Sequence, residues 1–182
     1  MSKIIFLNGT SSSGKTTLAR EIKSIASIPF WHFASDQFVE ADMLPRREND
    51  GGLFDWRTNR PKFFNAFHLC IKAILDTEND MILDHIIEST GWCDELREIL
   101  TGHDVFFVGI HCPVEILRER EINRSDRDIG NRFVGEAEYH LKSVHSYAHY
   151  DFEIDSSEQS AQQTAKMVLS AWSERGATNF FE

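Results

Sequence analysis

With 182 residues, 41% of them hydrophobic, the chain is long enough for one domain with a sizeable core and needs no staples. Nineteen basic against 29 acidic residues give a net charge of −10, which argues against a general nucleic-acid or membrane surface, so any polyanion must be gripped locally. No apolar run reaches the ~20 residues that span a bilayer, and the N-terminus lacks the long apolar run and cleavage site of a signal peptide.

In chain order, Ile4 to Leu7 reads as a first strand, and Leu18, Ile22, Ile25 and Ala26 then recur at helical spacing. Pro29 to Ala34 is a second strand ending at Ser35-Asp36. Residues 43–61 break all periodicity and carry Gly51-Gly52 and two prolines, so they are expected to form a loop over the acceptor side. Phe63, Phe64, Phe67, Ile71 and Ile74 mark a helix, and MILDHII (81–87) a third strand. VFFVGIHC (105–112), nearly unbroken, is a fourth and central one. Pro113 suits the first turn of a following helix. A polar, arginine-rich stretch follows, then a helix carrying Phe133, Ala137, Leu141 and Val144, and a fifth strand, DFEIDS (151–156). Ser156 and Gln159 are a candidate capping box for a last helix with Ala161, Ala165, Val168 and Trp172. Strands alternating with helical patterns predict an α/β fold with a parallel sheet, and no linker divides residues 1–182. The cysteines Cys70, Cys93 and Cys112 form neither a metal pair nor a disulfide framework, which fits a reducing cytoplasm.

Between the first strand and its helix, Gly9-x-x-x-x-Gly14-Lys15-Thr16 matches the P-loop pattern. Backbone N–H groups of such a loop converge with the positive end of the helix on one point, which favours a polyphosphate. Gly9, Thr10, Ser11, Ser12, Ser13, Gly14, Lys15, Thr16 and Thr17 are therefore expected to hold ATP, with Lys15 on the β- and γ-phosphates and Thr16 on Mg²⁺. Such a pattern also arises by chance, but here a strand precedes it and an amphipathic helix follows.

Asp36 and Asp84 close the second and third strands. In a doubly wound parallel sheet both ends share the edge of the P-loop. A lone aspartate there is more simply a helix N-cap; two flanking one P-loop point to chemistry. Asp36 is expected to take a proton from an attacking hydroxyl, and Asp84 to stand on the magnesium side. Arg120, Arg124 and Arg127 are candidates for an arginine lid (120–132) that faces phosphoryl oxygens, Arg120 also contacting the nucleotide. The alternative is a solvated charged helix with Glu119 and Glu121 as partners, which suits Arg118. The eight histidines show no metal spacing; His140, His145 and His149 are placed on helical or exposed positions, and His111 and Cys112 in packing.

Taken together, IIFLNGTSSSGKTT, HFASDQFVEA, MILDH, VFFVGIHCPVEILREREINRSDR and HYDFEIDSS resemble the chloramphenicol phosphotransferase family of P-loop kinases, over residues 4 to about 172. That resemblance implies a nucleotide-monophosphate-kinase-like sheet ordered 2-3-1-4-5. It also implies transfer of the γ-phosphate of ATP to a hydroxyl of a small molecule, in the namesake case an antibiotic, which links the family to antibiotic resistance. Asp36 matches the catalytic base, Lys15 and Thr16 the nucleotide and Mg²⁺ groups, and Arg124 and Arg127 the lid arginines. The family is expected to carry paired aspartates where this chain has Asp84-His85; a histidine there would titrate near neutral pH. In the 43–61 segment, Arg46, Arg47, Phe54, Trp56 and Arg57 suit an acceptor with a ring and an anionic group, or else belong to a polar loop without substrate contact. Competing functions are a metabolic kinase of shikimate, gluconate or nucleoside type, a sugar-nucleotide kinase of the zeta-toxin sort, and a nucleotide-dependent binding module without transfer. The acceptor and the oligomeric state are not specified.

Overall fold

Apolar residues in β1 (Lys3–Gly9) alternate with a period of two, and both faces are buried: Ile4 and Phe6 point to one layer, Ile5 and Leu7 to the other. A strand greasy on both sides belongs at the centre of a covered parallel sheet. A computed structural model, describing residues 1–123, 135–146 and 149–175, places it there. Five parallel strands run in the order β2-β3-β1-β4-β5, with β2 at Trp31–Ala34, β3 at Met81–Asp84, β4 at Asp104–His111 and β5 at Phe152–Asp155. This is the order the family resemblance implied.

One face is covered by α3 (Trp56–Asp76) and α4 (Thr90–Leu100), whose Phe67, Ile71, Leu96 and Leu100 pack on Ile4, Phe6, Leu83 and Phe107. The other is covered by α1 (Lys15–Ile25) and α7 (Ala161–Glu174), whose Leu18, Ile22, Ala165 and Val168 meet Ile5, Leu7, Phe106 and Val108. Each large side chain buried fully contributes on the order of 1.5–3 kcal/mol, so the two layers hold the sheet without disulfides; the three cysteines are free thiols.

Several boundaries differ from the sequence reading, each for a local reason. The third strand stops at Asp84 rather than 87, because beyond it the His85 and Ile87 N–H groups bond the Leu7 carbonyl and the Asn8 side chain outside the ladder. Asp36 does not end β2; it is the first residue of a short helix, α2 (Asp36–Glu40), which turns where Phe38 N donates to Ser35 O. The loop expected over 43–61 ends at Asp55, whose carboxylate accepts from Arg57 N and Thr58 N and starts α3 within the stretch taken as irregular. Helix α4 was not foreseen, although Ser89 caps it and Cys93, Leu96 and Leu100 bury one face. After α5 (Val114–Asn123), the helix expected to carry Phe133, Ala137, Leu141 and Val144 is, among the described residues, α6 (Glu136–Leu141), which stops short of Val144; Phe133 lies outside the described residues. The capping box belongs to Ser160 and Gln163, not Ser156 and Gln159.

Candidate active site

All five strands point the same way, so their C-terminal ends form one edge, and the loop between β1 and α1 sits at its centre. That loop turns tightly: Ser12 (φ 62°) and Gly14 (φ 93°) are both left-handed, a combination that directs successive N–H groups inward. At Gly9 a Cβ would lie 2.6 Å from the Ile110 carbonyl oxygen, so the first glycine is needed for close passage beside β4. Ser11, Ser12, Gly14, Lys15, Thr16 and Thr17 line a cleft of about 1140 Å³. Thr10 and Ser13 turn into the protein, their hydroxyl oxygens buried without a hydrogen-bond partner among the described residues.

The ammonium of Lys15 is folded into the loop, donating to the carbonyls of Gly9 (3.0 Å) and Thr10 (2.7 Å). Thr16 Oγ1 donates to Asp84 Oδ2 at 2.7 Å, and His32 Nε2 lies 3.5 Å from the same oxygen. Burial alone would raise the Asp84 carboxyl. The His32 hydrogen bond, the Lys15 charge and the Thr16 hydroxyl together outweigh it and hold the group below the ordinary carboxylate range. A hydroxyl and one ionised carboxylate at the foot of a polyphosphate cradle fit Mg²⁺, which keeps several waters and takes few protein oxygens. Arg120 braces the loop from outside, its guanidinium donating to Ser12 O (3.4 Å), Ser13 O (3.3 Å), Ser156 Oγ (3.0 Å) and Ser156 O (2.8 Å).

Asp36, half-buried on α2, lines the same cleft, together with Val39, Trp56, Phe63 and Phe64. The structure thus brings Asp36, Asp84, Lys15, Thr16 and Arg120 around one cavity. Arg124, Arg127 and the rest of the arginine lid from 124 onward lie outside the described residues. Arg46 does not line the cleft, whereas Arg47 and Arg57 do.

Glu88 and the contacts of His140 escaped the sequence reading, and His85 differs from what it led one to expect. Glu88 accepts from Arg60 through both oxygens at 2.6 Å, and burial, which would raise its carboxyl, is outweighed by His140 and Arg60. His140, 5% exposed on α6, accepts from Ser11 N at 3.4 Å through Nδ1 and lies 3.4 Å from Glu88 through Nε2. Both ring nitrogens are thus occupied, and the ring ties the P-loop to Glu88 across the cleft. His85 does not titrate near neutrality as expected: buried and 3.1 Å from His68, it is held well below the usual histidine range, first by burial and then by His68, Lys15 and Arg60. No local pattern marks these contacts, which join residues far apart in the chain.

The family model described as "chloramphenicol phosphotransferase-like protein" matches residues 2–173. A Mycobacterium tuberculosis protein bearing the name "putative O-phosphotransferase" is 30% identical over 186 residues, covering 90% of this chain and 79% of its own. Among solved structures, M. tuberculosis APS kinase in complex with AMPPNP and APS superposes with a TM-score of 0.64 at 16% identity, over 95% of this chain and 98% of that one. A Deinococcus radiodurans tunicamycin resistance protein gives 0.61 at 20% identity (98% and 99%), and Acinetobacter baumannii shikimate kinase in complex with shikimate 0.56 at 18% (93% and 92%). At these identities the likeness to the solved structures is one of fold.

Proposed function

The chain belongs to the chloramphenicol phosphotransferase-like family, a kinase-type phosphotransferase family, and from that premise we propose that it moves the γ-phosphoryl group of ATP to a hydroxyl of a small molecule. One observation carries the reading: a single cleft is lined both by the P-loop and by Asp36 with the aromatic side chains of Trp56, Phe63 and Phe64. A module that only binds nucleotide has no need of a base, the role proposed for Asp36.

In this reading the acceptor hydroxyl lies against Asp36, whose carboxylate takes the proton as the oxygen attacks the γ-phosphorus in line. The new O–P bond forms as the bond to the β-phosphate oxygen breaks, and ADP leaves. Lys15 exchanges its two loop carbonyls for phosphate oxygens as charge develops there. Thr16 and Asp84 would hold Mg²⁺, which when bound neutralises charge on the β- and γ-oxygens. Arg120 keeps the loop closed against the segment before α7, while Arg124 and Arg127 are proposed as the lid that excludes water during transfer.

The test is ATP consumption with and without a panel of hydroxylated compounds, chloramphenicol included, each reaction analysed by mass spectrometry for a phosphorylated product. Acceptor-dependent turnover with such a product is expected. Turnover indifferent to every acceptor, with inorganic phosphate as the only product, would contradict the proposal.

A further inference from the structure

β2 is an edge strand of the sheet, paired with β3. Trp31 N donates to Asp80 O (2.9 Å) on that side. Backbone groups of successive strand residues alternate in direction, so those of His32 and Ala34 turn to the outer edge. The side chain of Gln37, from α2, takes both: its Oε1 accepts from Ala34 N (3.0 Å) and its Nε2 donates to His32 O (3.1 Å). One amide thus stands where a residue of a further strand would pair. Because Ala34 N can only donate and His32 O only accept, the backbone fixes which end of the amide is oxygen and which is nitrogen.

That assignment carries into the His32 ring. Gln37 Nε2 lies 3.5 Å from His32 Nδ1, and an amide nitrogen has hydrogens to give but no lone pair to offer. Nδ1 is therefore the accepting nitrogen, which leaves the proton of the ring on Nε2. His32 Nε2 in turn lies 3.5 Å from Asp84 Oδ2, the oxygen that also accepts from Thr16 (2.7 Å). The His32 and Asp84 side chains are each 5% exposed. In the other tautomer a lone pair would face the carboxylate oxygen, and the contact would repel. Asp84 lines the cleft, whereas His32 and Gln37 do not. They are placed to orient the carboxylate without meeting a ligand.

Resting on the phosphotransferase reading above, we propose that Gln37 and His32 are positioning residues for Asp84. The Gln37 amide, locked by the edge of β2, keeps the His32 proton on Nε2, and that N–H holds the Asp84 carboxylate in place for Mg²⁺. Thr16 serves the metal as well as the carboxylate in that reading, whereas His32 serves the carboxylate alone.

Long-range ¹H–¹⁵N spectra of the nucleotide-free protein, at about pH 8 and so above the ordinary histidine range, report the tautomer of His32, whose signals H32N identifies. The proton is expected on Nε2 in the parent. In Q37M, which keeps the length of the side chain but neither polar end, it should divide between the two nitrogens. Calorimetric titration with AMPPNP, with and without Mg²⁺, then reads the gain in affinity that the metal brings. That gain should shrink about threefold in Q37M, the scale of one neutral hydrogen bond, and about tenfold in H32N, whose amide is too short to reach Asp84. H32Q, long enough to keep a donor there, should retain most of it. AMPPNP affinity without Mg²⁺ should match the parent in all three variants, as the check on folding. A proton on Nδ1 in the parent, or a magnesium gain that none of the variants changes, would overturn the proposal. Both expected results without a phosphorylated product from any acceptor would fault the phosphotransferase reading and leave the positioning role standing. Acceptor phosphorylation with neither result would do the reverse.

Discussion

Gly9 and Thr16 mark two kinds of dependence within one loop. At Gly9 the backbone passes so near Ile110 that Gly9→Ala must displace β4 or the loop. We expect it to lose about 1–3 kcal/mol of stability, read by denaturant unfolding, and nucleotide affinity with it. Thr16→Val keeps the bulk but removes the hydroxyl that meets Asp84. It should leave stability nearly intact while raising the Mg²⁺ concentration needed for half-maximal activity by roughly tenfold; an unchanged Mg²⁺ dependence would remove Thr16 from the metal side. These residues were legible in the sequence because P-loop chemistry is local, with every group inside one short stretch. His85 was not. Its neighbour Asp84 suggested a polar site, but its ring is buried against Trp92 and Phe67, and burial is a property of the packed molecule. The Arg60–Glu88–His140 cluster was equally hidden, since α3, the segment between β3 and α4, and α6 meet only in three dimensions.

Among the elements, α6 has little support of its own. It spans six residues, begins at a glycine with φ 104°, and has no side-chain cap from its own N-terminus. Its first N–H groups are taken instead by Glu121 of α5, buried at 3% exposure, which accepts from Gly135 N (3.0 Å) and Ala137 N (2.9 Å). Glu121→Ala would leave these donors unmet at a cost of about 1–3 kcal/mol. Because α6 carries His140 against the P-loop, nucleotide affinity should fall as well, and Glu121→Gln, which keeps an acceptor, should restore part of both. Unfolding curves and nucleotide titrations of the two variants decide it; equal behaviour of both with the parent would contradict the capping role. In the sequence Glu121 entered only the alternative of a solvated charged helix, as a partner suiting Arg118, because its target N–H groups lie beyond the arginine-rich stretch. Strong apolar periodicity did identify β1, β4, α1 and α7. The capping box slipped by four residues because Ser156-x-x-Gln159 and Ser160-x-x-Gln163 present the same spacing, and only the helix axis chooses between them.

At the scale of the whole molecule, stability should depend on pH through His145, half-buried, and His85, buried. His145 stacks on His111 and hydrogen-bonds Tyr150; burial, then the charges of His111 and Lys15, bring it from 6.5 to about 4 against the opposing pull of Glu153. The unfolded chain therefore binds this proton first, so acidification between pH 6.5 and about 4 favours unfolding. His85 acts in the same direction, and the lowered carboxyls of Asp84 and Glu88 add their loss only at lower pH. Thermal midpoints should fall as pH drops through this window, less steeply in His145→Gln; parallel curves would show that the ring takes its proton in the folded state. The same molecule gathers cationic groups at one sheet edge while remaining acidic elsewhere, and it is the fate of the phosphoryl group there that decides the account. The most direct measurement follows the label of γ-labelled ATP in the parent and in Asp36→Asn, with a phosphorylatable acceptor present. The parent should place the label in an organic phosphate, and Asp36→Asn should bind nucleotide as tightly yet transfer about 10²–10⁴-fold more slowly. Label appearing only as inorganic phosphate, at a rate the substitution does not change, would contradict it.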